Sequence, residues 1–257
     1  MKIINSDFYF SSFHELYSKY PKLKDTLKNL KLEKELSFNF NRINDNCLGF
    51  IYKNALDSEE YKKFNLLKNT DLECFKKPNN FIFIDNKLYG YTINSYECSN
   101  LYNLSYHYSI KSIIKNLDEI DIDIENLSDN NILLLFINPE HILYNSYTKN
   151  IEFLHIQEFE IREDLKKDDI LLMNYLLVHT VLLYSLFGRN IMDNLNNKKD
   201  IIYYFRNKIL NEELEGEYST KYFFDKVHAT FEEVINDEVN TLGEFRSLAK
   251  TLKIKDE

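Results

Sequence analysis

Residues 136–145, FINPEHILYN, have the pattern of a loop that carries chemistry. An apolar segment leads into Asn-Pro-Glu, and a short apolar strand follows. The loop contains one carboxylate, that of Glu140, and one imidazole, that of His141, and both groups are ligands for transition metals. The pattern therefore raises the question whether this loop belongs to an active site, to an altered one, or to one that has lost its activity.

Other catalytic and metal-binding patterns are absent from the sequence. It contains no G-x-S-x-G, no H-E-x-x-H and no cysteine beside a histidine motif. The acidic run at residues 118–125, DEIDIDIE, lacks the glycine and the spacing of a calcium loop. Cys47, Cys74 and Cys98 are odd in number and widely spaced, so we expect free thiols in a reducing compartment.

The composition is that of a folded, acidic protein. The chain of 257 residues is 44% hydrophobic and 28% charged, which is enough for one large core or two smaller lobes. Its net charge is −9, and the sequence contains no long run of basic residues. Binding to nucleic acid depends on clustered Lys and Arg, so we expect no nucleic-acid partner. The abundance of Asn, Lys, Ile and Tyr is typical of AT-rich coding in a microbe or phage.

The most apolar segment, residues 170–187, approaches the length that a bilayer requires. Polar residues interrupt it, namely Asn174, His179, Thr180 and Ser185. A helix that is apolar all round is also typical of the centre of a helical lobe, with His179 as a hydrogen-bonded core residue. The N-terminus has no apolar run suited to a signal peptide. We therefore expect a soluble, cytoplasmic protein with no membrane partner.

The first third of the chain has the patterns of strands with one helix among them. Residues 12–32 have helical spacing that is broken near Pro21. Two hairpins are predicted, one around the polar residues 42–46 and one that turns at Asp85-Asn86. The helix between them is predicted to begin with Asp57 or Ser58 as its N-cap.

Helical patterns dominate the remainder of the chain. Residues 101–135 and 168–250 have mostly helical spacing, and a small hairpin lies between these two stretches. Strands followed by helices predict an α+β protein built from two lobes.

The order of these segments resembles the protein-kinase-like fold, especially degenerate bacterial and phage kinase-like proteins. GFIYK (49–53) resembles the strand that ends in the phosphate-pairing lysine, which implies this role for Lys53. The helix SEEYKKFNLL (58–67) would supply its acidic partner, Glu60 or Glu59. KKPNNFIFIDNKLYGYTIN resembles the strands that lead to the hinge, and ECSNLYNLS resembles the segment after it.

The second half of the resemblance concerns the catalytic loop and its supports. INPEHILYN resembles the loop and the strand after it, and IEFLHI resembles the strand that enters the metal-binding motif. DDILLMNYLL resembles the start of the buried central helix, which implies that Asp169 holds the backbone of the loop. The resemblance implies a helical N-terminal extension (1–34), a small strand-rich N-lobe (35–94) and a larger helical C-lobe (95–257).

The chain departs from the family at the positions that perform phosphoryl transfer. Phe136 occupies the place of the catalytic aspartate, and it cannot accept a proton. His141 and His155 occupy the places of the two magnesium ligands, although magnesium prefers oxygen. Between Glu35 and Lys53 the only glycine is Gly49, so the glycine-rich phosphate loop is missing. These departures imply no catalytic residue and no cofactor.

Two alternatives for the site remain open at this stage. If EFE (158–160) is the metal motif, Glu158 would keep a carboxylate near the site. Alternatively, His141 and His155 could hold zinc or another transition metal, with Glu158 or Glu140 as a third ligand. The simpler interpretation is that both histidines are ordinary residues of a decayed cleft.

The function predicted from these observations is that of a pseudokinase-like regulator that binds another protein. The first alternative is an atypical ATP-dependent phosphotransferase that uses Lys53, a shifted acidic ligand and a divalent metal. The second alternative is an α+β interaction module of a phage or a defence system. The sequence does not identify the protein partner.

Overall fold

The computed structural model describes residues 7–21, 41–44, 47–94, 98–154, 156, 158–187 and 241–249. The chain divides into two compact units. The first unit comprises Met1–Thr70 and Lys76–Glu97, and the second comprises Asp71–Phe75 and Cys98–Glu257. The described strands and helices give the mixed α/β content expected of an α+β protein.

The first unit contains a five-stranded sheet in the order β1-β4-β5-β3-β2. Its strands are β1 (Phe8–Phe10), β2 (Asn41–Asn44), β3 (Cys47–Ile51), β4 (Asn80–Ile84) and β5 (Lys87–Asn94). Strand β1 pairs in parallel with β4, and the other pairs are antiparallel. The unit also contains helices α1 (Phe13–Lys19) and α2 (Ser58–Asn69).

Both predicted hairpins are confirmed. Strands β4 and β5 turn at Asp85 and Asn86, whose φ angles of 50° and 59° are those of a tight hairpin turn. Strands β2 and β3 form the other hairpin, although residues 42–44 of the predicted turn belong to strand β2. The predicted N-cap of α2 is Asp57, whose Oδ1 accepts hydrogen bonds from Glu59 N and Glu60 N.

The N-terminal segment differs from the helical extension that the sequence predicted, because residues 8–10 form a strand. The side chain of Asp7 accepts hydrogen bonds from Phe81 N at 2.9 Å and Lys68 Nζ at 3.1 Å, which fixes the start of β1 beside β4. Phe10 and Leu16 then enter the buried cluster of this unit. Helix α1 lies within the helix predicted for residues 12–32, and residues 22–32 lie outside the described residues.

The second unit consists of helices around two small sheets, one ordered β10-β7 and the other β6-β8-β9. Its strands are β6 (Ser99–Asn100), β7 (Ile132–Phe136), β8 (Ile142–Asn145), β9 (Asn150–Phe153) and β10 (Glu158–Ile161). The helices described in this unit are α3 (Ile110–Ile114), α4 (Leu117–Asp129), α5 (Lys167–Phe187) and α6 (Leu242–Ala249), with short 3₁₀ turns at Leu101–Asn103 and Pro139–His141.

Helix α5 contains the most apolar segment of the chain, and two of the polar residues within that segment, His179 and Ser185, are buried and hydrogen bonded. His179 is buried, and its Nε2 lies 2.7 Å from Asp121 Oδ1 on α4, which confirms the prediction of a hydrogen-bonded core histidine. Ser185 Oγ donates a hydrogen bond to Val181 O at 2.8 Å. Among the helices that the structure describes, none is both long and apolar enough to cross a bilayer.

Candidate functional site

The loop that opened the sequence analysis is a short 3₁₀ turn between two strands of the second unit. Asn138 caps this turn, because its Oδ1 accepts a hydrogen bond from Glu140 N at 2.9 Å. His141 N donates to Asn138 O at 2.9 Å and closes the turn. Strand β8 begins at the next residue. The sequence Asn-Pro-Glu-His therefore forms a defined connection whose conformation is fixed by its own side chain and backbone.

Phe136, the residue that the sequence resemblance matches to a catalytic aspartate, is the last residue of β7 and is only 7% exposed. In the antiparallel ladder it lies opposite Glu158, the half-buried first residue of β10. The register shifts between Glu158 and Phe159, so one strand carries a local irregularity at this point. Glu158, the first carboxylate of the EFE segment, is therefore a cross-strand neighbour of the Phe136 ring.

His141 is a neutral imidazole in the native protein. Burial lowers its pKa from 6.5 to about 4. Its backbone is tied to the next strand, since Leu154 N donates to His141 O at 2.8 Å. A neutral imidazole can bind a transition metal, but no group of three potential ligands is assembled within the described ranges. His155, the second histidine of the hypothetical metal site, lies outside the described residues, and Glu140 is exposed.

Lys53 and Glu60, both in the first unit, do not form the ion pair that the resemblance implies. Lys53 is exposed in a bend after the end of β3, and it has no ion pair in the part of the chain that the structure describes. Glu60 Oε2 accepts a hydrogen bond from Asp57 N at 3.1 Å and completes a capping box at the start of α2. Glu59, the other suggested partner, is exposed. The glutamate carboxylate thus stabilises its own helix.

An aromatic cluster, which the sequence analysis did not identify, lies directly before Lys53. The Tyr52 ring packs edge-on against Phe50, with ring centroids 4.6 Å apart, and its hydroxyl is hydrogen bonded to Tyr91. Burial raises the pKa of both tyrosines. A Cβ at Gly90 would collide with Phe50 O, so this glycine permits the close approach of β3 and β5. The sequence signal for this cluster was the Tyr-Gly-Tyr of β5 together with Phe50 and Tyr52 at the end of β3.

The residue that holds the backbone at the entrance to the loop is Asn174 rather than Asp169. Asp169 is exposed in the first turn of α5. Asn174 is fully buried, and its Oδ1 accepts a hydrogen bond from Leu134 N at 2.8 Å. Its Nδ2 donates to Ile132 O at 2.9 Å and to Ser128 Oγ at 3.1 Å. A lone amide within an apolar helix was the sequence signal for this anchor.

The comparisons with known proteins include a partial likeness to a solved structure. No protein-family model matches the chain, and no curated protein matches it. Among solved structures, the kinase PK-1 of the Cydia pomonella granulovirus is similar with a TM-score of 0.35 and 20% identity. The similarity covers 45% of this chain, and the chain spans 42% of the length of that kinase.

Proposed function

We propose that this chain is a two-lobed, kinase-like protein that has no phosphotransfer activity and acts by binding another protein. Phe136 carries this proposal. In the kinase-like alignment it stands where a carboxylate must orient the attacking hydroxyl, and a buried phenyl ring can neither accept nor direct a proton.

The groups around the other expected contacts of ATP support the same conclusion. His141 stands at a magnesium position, and a neutral imidazole with its pKa lowered by burial is a poor ligand for magnesium. Lys53 does not form an ion pair with Glu60 among the described residues, because Glu60 is engaged in the capping box of α2. Each of these features removes a separate contribution to charge neutralisation or positioning, which are the main sources of rate acceleration in phosphoryl transfer.

The proposal requires a protein partner, and it assigns no nucleic acid, membrane or cofactor to the chain. The acidic net charge of −9 opposes association with nucleic acid.

Calorimetric titration with ATP tests this proposal. The full chain is titrated with ATP in the presence of magnesium, manganese or zinc, in parallel with the variant Lys53→Ala. We expect that neither the wild-type chain nor the variant gives metal-dependent heat of ATP binding. Tight, metal-dependent binding of ATP by the wild-type chain that disappears in Lys53→Ala would contradict the proposal.

A second candidate function is supported by the pairing of Glu158 with Phe136. A half-buried carboxylate beside the altered base position is the group that an atypical ATP-dependent phosphotransferase would need as a shifted metal ligand. In that case Glu158→Gln removes metal-dependent ATP binding and leaves the fold intact. Glu160→Gln, an exposed residue on the same strand, is the matched control and retains the binding.

A further inference from the structure

We draw no further inference here: the strongest candidate, the partly exposed aromatic surface that Tyr9, Phe83 and Tyr61 form at the edge strand β1 of the five-stranded sheet, carries no proposal because nothing in the described part of the structure shows what covers it.

Discussion

Phe136 and Glu158 face each other across the antiparallel strands β7 and β10. One is a buried aromatic ring, and the other is a half-buried carboxylate on the adjacent strand. The pairing makes the two residues interdependent. Introducing an acid at residue 136 would place two carboxylates side by side in a poorly solvated site.

The substitution Phe136→Asp should therefore destabilise the second unit. We expect a loss of about 3 kcal/mol at pH 7, from the lost apolar burial and from a desolvated carboxylate beside Glu158. The folded-state pKa of the new carboxyl would be raised, so its penalty is present above that pKa and is relieved as pH falls through it. Urea unfolding at pH 7 and pH 5 measures the difference. Phe136→Leu is the control, with a loss of about 1 kcal/mol that does not change with pH.

His141 should make the stability of the protein depend on pH. Burial depresses its folded-state pKa to about 4 from 6.5, so the unfolded chain binds an additional proton between these values. The free energy of unfolding contributed by this group is fully present above pH 6.5 and is lost as pH falls toward 4. His141→Gln should flatten this part of the curve of stability against pH in urea unfolding. An unchanged curve in the variant would show that the imidazole titrates normally.

The two polar residues of α5 considered as anchors of the loop should behave differently when truncated. Asn174→Ala removes one acceptor and two donor interactions in the core, and we expect a loss of about 3 kcal/mol. Asp169→Ala, at an exposed position in the first helical turn, should cost less than about 1 kcal/mol. Chemical unfolding of both variants decides between them. Equal losses would mean that Asp169 holds the loop as the family resemblance implied.

Two glycines provide a further matched pair. At Gly90 an added Cβ meets the backbone oxygen of Phe50, which cannot move without separating β3 from β5. We expect Gly90→Ala to cost about 2 kcal/mol or more. At Gly243 the nearest atoms lie 3.1–3.4 Å away and belong to Tyr106, so Gly243→Ala in helix α6 should change stability by less than about 1 kcal/mol. Thermal unfolding of the two variants compares them directly.

Local patterns in the sequence predicted the elements that local interactions determine. The turn at Asp85-Asn86 follows from two residues that tolerate positive φ, and the start of α2 follows from the N-cap at Asp57. The same spacing of Asp57 and Glu60 is that of a capping box, so the sequence contained the reason why Glu60 is not available to Lys53.

Long-range pairing was not predictable from these patterns. The parallel pairing of β1 with β4 depends on Asp7 reaching Phe81 N, a contact between segments that are far apart in the chain. The pairing of Glu158 with Phe136 includes a register irregularity, which no periodicity indicates. The anchoring role of Asn174 likewise depends on tertiary packing, because its partners lie on α4 and β7.

Transfer of the γ-phosphate from labelled ATP tests the central claim most directly. The full chain, Lys53→Ala and Glu158→Gln are incubated with magnesium or manganese, and label in protein and in released phosphate is counted. The account predicts that all three proteins give the same background signal with either metal. Phosphate transfer by the wild-type chain that is lost in both variants would contradict it and would establish a phosphotransferase that uses these residues.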